Sequence, residues 1–120
     1  MNETKNYSIT KSGAVILEGG ANRGVFTAGA LDFLMEQEYY IPHVIGVSAG
    51  ACNALDYVSR QIGRTRDCMI VTDEKNRYVN KNIKTIVEKK ALLDMDMVFE
   101  RYPYEIFPFD LIRICIAADV

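Results

Sequence analysis

Residues 43–52 read HVIGVSAGAC, an apolar run that passes straight into a serine held between two glycines. Val44 to Val47 are too few for a helix and rich in β-branched residues, so the pattern predicts a short strand. Gly46-Val47-Ser48-Ala49-Gly50 then fits G-x-S-x-G, in which a sharp strand-to-helix turn carries the serine. The glycines at 46 and 50 serve as a nucleophile elbow, because backbones without a Cβ approach more closely. Two roles suit Ser48 at this point: a nucleophile whose Oγ projects from the turn, or an N-cap for the helix that follows. By average residue usage the five-residue pattern occurs in roughly 3% of chains this long, so its meaning depends on its surroundings.

Upstream, Ala14 to Leu17 form a second four-residue apolar run, ending at Glu18 and two glycines. It reads as a buried strand entering a tight loop. From Arg23 to Glu38 there is no proline, and Val25, Phe26, Gly29, Ala30, Phe33 and Leu34 recur at helical steps with a wide apolar face. Two apolar strands separated by one helix predict a βαβ unit in a parallel sheet covered on both faces. That topology sets the Gly19 to Gly24 loop beside the Ser48 turn, at the carboxyl ends of neighbouring strands, where open α/β sheets place ligands.

The loop Gly19-Gly20-Ala21-Asn22-Arg23-Gly24 presents main-chain N–H groups at a helix start and so favours negative charge. It departs from the dinucleotide pattern at Ala21, and from the phosphate-loop pattern because Val25 and Phe26 follow Gly24. An oxyanion hole fits better. One N–H would come from Ala49, after the serine, and others from Gly19, Gly20, Ala21, Arg23 and Gly24, with the Arg23 side chain either bracing the loop or facing the developing charge.

A serine needs a base, and the sequence holds one histidine, His43. Five extended residues place it about 16 Å from Ser48, whereas a working base lies about 3 Å away. A Ser-His-Asp triad is therefore disfavoured, and a carboxylate is the expected partner.

The remainder constrains more than it assigns. One domain is expected from 120 residues, and a net charge of −2 gives no electrostatic reason to expect nucleic acid. Cys52, Cys68 and Cys115 match neither a zinc ligand set nor a disulfide framework, and read as reduced thiols in a cytoplasmic chain. Residues 1–13 are a polar leader without the apolar core of a signal peptide. Further helices are expected over 49–61 and 80–93, irregular structure over 95–110, and a third strand in LIRICIAADV. The lysines of 80–93 suit either a solvated face or peripheral contact with anionic lipid. Met95, Met97, Val98, Phe99, Phe107 and Phe109 suit core packing, with an acyl-chain pocket as the alternative.

With those motifs in place, LEGGANRGVFTAGALDFL (17–34) and IGVSAGACNA (45–54) resemble the N-terminal part of the catalytic domain of bacterial patatin-like phospholipases, over about 14 to at least 110. The resemblance implies a three-layer α/β/α sandwich on a parallel sheet, incomplete in this chain, and hydrolysis of lipid or fatty-acyl esters by a Ser-Asp dyad without metal or organic cofactor. Ser48 would be the nucleophile. Two departures stand out. Ala21 replaces a common glycine, and the family's aspartate lies in an Asp-Gly motif that no aspartate here supplies; Asp67, Asp73, Asp94, Asp96, Asp110 and Asp119 all lack the glycine. The expectation is a single domain truncated before that motif, with exposed apolar surface that promotes self-association. The alternative is a catalytically inactive fragment or pseudoenzyme that binds anions or a partner.

Overall fold

The computed structural model describes residues 12–112. Strands β1 (Ala14–Leu17) and β2 (His43–Gly46) pair in parallel, in register from Ala14 opposite His43 to Leu17 opposite Gly46. Helix α1 (Gly24–Glu36) connects them, preceded by a 3-10 turn at Ala21–Arg23. Then come α2 (Ala49–Val58), α3 (Arg64–Met69), a 3-10 turn at Glu74–Asn76, α4 (Ile83–Lys89) and a π-helix at Met97–Ile106. The βαβ unit and the following helix lie where the apolar periodicity puts them.

Alternation along the strands decides which face is buried. Val15, Leu17 and Val44 turn toward Leu31, Leu34 and Met35 of α1 and toward Ala54 and Tyr57 of α2, forming one core. Ile16 and Ile45 point the other way and remain 77% and 57% exposed. The described residues thus form a mixed α/β arrangement on a parallel sheet, compatible with an incomplete α/β/α sandwich: one helical layer is in place, and the second sheet face has no cover among them. Likewise Gly24, Ala28, Leu31 and Met35 form the buried stripe of α1, while Phe26 and Phe33 on its other sides face solvent.

Both long helices end in Schellman motifs closed by a residue other than glycine. After α1, Glu38 adopts φ 53°, the Glu38 N–H donates to Met35 O and the Tyr39 N–H to Leu34 O. After α2, Arg60 adopts φ 57° with equivalent bonds to Tyr57 O and Asp56 O, so the helix stops at Val58 rather than running to Gln61. Tyr57 secures the link into β2: its hydroxyl donates to Tyr39 O at 2.8 Å and accepts from the Ile41 N–H at 2.9 Å.

Other differences have local causes. Helix α3 was not visible as an apolar pattern because its sequence, RTRDCM, is largely polar; tertiary bonds from Arg64 and Thr65 to Asp56 anchor it instead. The 80–93 helix is shorter than expected, starting at Ile83 behind an Asn82 cap and ending at Lys90 in the left-handed region. Of the 95–110 segment, residues 95–106 are helical rather than irregular, while 107–110 are irregular as expected. Pro103 has no N–H for an α-type ladder, and the segment closes on wider bonds such as Phe107 N–H to Tyr102 O, five residues back. Its apolar residues disperse: Met97 is buried, Phe107 packs edge-on against Tyr102, Phe109 lies under Arg64, and Phe99 is exposed. Of the expected third strand, only Leu111 and Ile112 are described, and they are helical; the rest, with Asp119 and Cys115, lies outside the described residues.

Candidate active site

The turn at Ser48 answers the question its motif poses. The Gly50 N–H donates to Val47 O at 2.9 Å, closing a four-residue turn in which Ser48 occupies the second position with φ 55° and ψ −124°. Those angles are the mirror image of a type II turn, a position ordinarily filled by glycine. A side chain held there costs about 1–3 kcal/mol. The serine does not recover this by capping: its side chain makes no hydrogen bond to α2, and the residue is exposed.

Three main-chain segments meet beneath the turn. A Cβ added at Gly46 would lie 2.3 Å from Gly50 O, and one added at Gly50 would lie 2.3 Å from Leu17 O, both far inside van der Waals contact. The Val47 N–H extends the pairing to Leu17 O at 3.1 Å. The two glycines of the motif are therefore places where the ends of β1, β2 and the start of α2 touch directly.

The glycine loop is the immediate neighbour of the serine. From Gly19, a Cβ would reach 3.1 Å from Ser48 Cβ and 3.8 Å from Ser48 Oγ. Ala21 sits at φ 46°, the left-handed conformation in which an alanine costs about 1 kcal/mol. The Arg23 N–H donates to Gly20 O at 3.0 Å, and the Gly24 N–H closes the same 3-10 turn on Ala21 O. Those two amides are engaged inside the loop. The N–H groups of Gly19, Gly20, Ala21 and Ala49 make no main-chain bond among the described residues. The Arg23 side chain folds toward Gly20, its Cβ and Nε 3.7 and 3.9 Å from where a Gly20 Cβ would stand.

Behind the turn lies polar machinery that the motifs do not announce. Asn53, buried on α2, donates from Nδ2 to Gly24 O at 3.1 Å and so clamps the loop's end to the helix after Ser48; its Oδ1 is buried without a partner. Asp56, one turn on, accepts from Arg64 Nη1 at 2.9 Å and from the Thr65 hydroxyl. Burial raises the Asp56 carboxyl above its ordinary range, against the Thr65 bond and the Arg64 charge. Burial likewise pushes up the Cys52 thiol, aided by Asp56, and takes that of Cys68 to about 12. The readable signal was spacing: Ala49, Asn53, Asp56 and Tyr57 form one buried stripe of α2.

The other candidates lie elsewhere. His43 opens β2 opposite Ala14, at the end of the strand remote from Ser48. Asp67 pairs with Arg66, Asp73 caps the Glu74–Asn76 turn, and Asp94 holds Lys89 and the Met97 N–H. Among the described residues, no three His, Cys, Asp or Glu side chains gather in a group that could hold a metal ion.

Comparison with known proteins identifies the family. A family model described as patatin-like phospholipase matches residues 15–113. YjjU of Escherichia coli K12, described as an uncharacterized protein, is 32% identical over 88 residues, covering 72% of this chain and 24% of that protein. This chain thus spans about a quarter of that relative's length. No solved structure matches. A match that runs from β1 through the serine turn to the end of the described residues settles the affiliation: the chain belongs to the patatin-like phospholipase family.

Proposed function

We propose that this chain carries the nucleophile and oxyanion hole of a serine acyl hydrolase acting on lipid or fatty-acyl esters. The observation that carries the reading is Ser48 itself: an exposed, uncapped hydroxyl in a costly conformation, against a loop with unengaged amides. Ser48 Oγ attacks the ester carbonyl carbon, the developing oxyanion accepts from the N–H groups of Ala49, Gly19, Gly20 and Ala21, and loss of the alcohol leaves an acyl-serine that water cleaves. Arg23 and Gly24 then shape the loop instead of donating their amides.

The proton of Ser48 goes to a carboxylate, as in a Ser-Asp dyad, which an Asp-Gly motif outside this sequence would supply. No helix among the described residues is long and apolar enough to cross a membrane. Peripheral contact with a lipid surface is proposed through exposed Ile83 and Val87 beside Lys84 on α4. Self-association is proposed through the bare sheet face, and the setting is taken to be cytoplasmic.

The test is labelling of the full-length protein with a fluorophosphonate, alongside hydrolysis of a short-chain aryl ester. Modification of Ser48 and loss of both signals in Ser48→Ala are expected. An unlabelled Ser48, or turnover unchanged by Ser48→Ala, would overturn the assignment and favour an inactive binding module.

A further inference from the structure

Helix α1 buries one stripe and leaves the opposite one open. There Phe26 and Phe33 stand 85% and 59% exposed. Gly29 and Ala30, also exposed, lie between them, and a Cβ built on Gly29 meets nothing within 4 Å. Arg23 and Glu36 occupy the two ends of this stripe, both exposed and neither in an ion pair among the described residues. The stripe lies on the side of α1 away from the core, so it is separate from the bare sheet face formed by Ile16 and Ile45.

The order of residues along the stripe decides what fits it. They are symmetric about the midpoint between Gly29 and Ala30: Phe26 precedes Gly29 by the same three positions by which Phe33 follows Ala30, and Arg23 precedes Gly29 by the same six by which Glu36 follows Ala30. The two end residues differ only in the sign of their charge. A second α1 laid antiparallel across that midpoint therefore meets a surface complementary to its own, which is what a closed two-fold contact requires. Each Phe26 faces the partner's Phe33, and the small residues at the centre let the backbones approach. At a crossing angle of about 20° each Arg23 reaches toward the partner's Glu36. A parallel pairing would instead set Arg23 against Arg23 and Glu36 against Glu36, and a lipid surface would give Glu36 no partner.

We propose that two copies of this protein associate through the outer face of α1 as an antiparallel, two-fold dimer. The inference stands independently of the acyl-hydrolase reading, but it bears on the candidate site, because Arg23 belongs to the glycine loop and the partner's Glu36 then sits at that loop's edge. Contact through one helix per copy is small among specific interfaces, so a dissociation constant of about 1–100 µM is expected.

Sedimentation velocity of the full-length protein over a range of concentrations tests it, in an Ile45→Glu background that removes association through the sheet face. A monomer–dimer equilibrium should remain. Phe33→Glu should raise its dissociation constant about thirtyfold or more, and Glu36→Arg, which faces the partner's Arg23 with a like charge, about tenfold. Both positions are exposed, and circular dichroism checks that each variant keeps the fold. A second measurement fixes the geometry: Gly29→Cys sets two thiols beside the two-fold axis, and mild oxidation should yield a covalent dimer well above the level formed by the parent's own cysteines. A monomer at every concentration overturns the proposal, and that is the result if further parts of the protein cover Phe26 and Phe33. A dimer that ignores Phe33→Glu, one that Glu36→Arg leaves unweakened, or one that Gly29→Cys does not cross-link overturns it as well. Association present in the parent and abolished by Ile45→Glu belongs to the sheet face and likewise overturns it.

Discussion

Replacing Ser48 by glycine should make the protein more stable while removing the proposed nucleophile. The residue holds φ 55° and ψ −124° with no side-chain bond to the helix it precedes. Glycine enters that conformation freely, which relieves about 1–3 kcal/mol of backbone strain. Against this stands the greater freedom glycine gives the unfolded chain, about 0.5–1 kcal/mol. The balance is a gain of about 0.5–2 kcal/mol, or a few degrees in Tm for a domain of this size. Alanine separates strain from capping: it keeps the Cβ, and therefore the strain, and deletes only a hydroxyl that caps nothing, so Ser48→Ala should lie within about 0.5 kcal/mol of the parent. Chemical denaturation of the three proteins, followed by circular dichroism, gives the ranking. Were Ser48 merely a helix cap, Ser48→Ala would lose about 1 kcal/mol and glycine only a few tenths. That order, or a glycine variant no more stable than the alanine variant, would refute the strained-nucleophile reasoning.

Glycines elsewhere provide contrasting cases. Gly46→Ala sets a methyl 2.3 Å from the carbonyl oxygen of Gly50, backbone that cannot rotate away, so a loss of about 3 kcal/mol or more is expected, whereas a Cβ at Gly29 meets open space and Gly29→Ala should gain about 0.5–1 kcal/mol by its better helix propensity; urea midpoints distinguish the two. Tyr57→Phe removes both bonds that secure the link into β2 and leaves the part-buried Ile41 N–H and Tyr39 carbonyl without that partner, a cost of about 1–2 kcal/mol that should also speed amide exchange at Ile41. Stability should fall at alkaline pH. Burial holds the Cys68 thiol, ordinarily at 9.0, and the Tyr102 hydroxyl, ordinarily at 10.0, up to about 12. Each group therefore releases its proton more readily in the unfolded chain, and its preference for the fold is complete below pH 9 and lost as pH climbs toward 12. Urea midpoints from pH 8 to 11 should decline, and Cys68→Ala should decline less; parallel slopes would contradict the burial of that thiol.

Local sequence was most informative where geometry leaves little choice. Four-residue apolar runs before a glycine, separated by an uninterrupted helical pattern, admit few arrangements other than a parallel pair bridged by a helix, and β1, α1 and β2 form that unit. The main-chain shape around Ser48 was equally legible, because G-x-S-x-G and the glycine loop specify it and the glycines report where backbones touch. Helix α3, by contrast, is held by Arg64 and Thr65 reaching Asp56, a partner on another helix that no local pattern reveals. The π-helix around Pro103 is similar: a composition that disfavours an α-helix left the wider ladder out of view.

By itself, then, the sequence determined the βαβ core, the identity of the exposed serine and the family to which the chain belongs, since all three are written in short-range patterns of apolar residues and glycine. Only the tertiary structure decided that the Ser48 hydroxyl caps nothing, that Arg23 and Gly24 spend their amides inside the loop, and that Phe26 and Phe33 are left facing solvent. Those facts depend on which groups find partners across the fold, and hydrogen bonding between distant segments leaves no trace in the order of neighbouring residues.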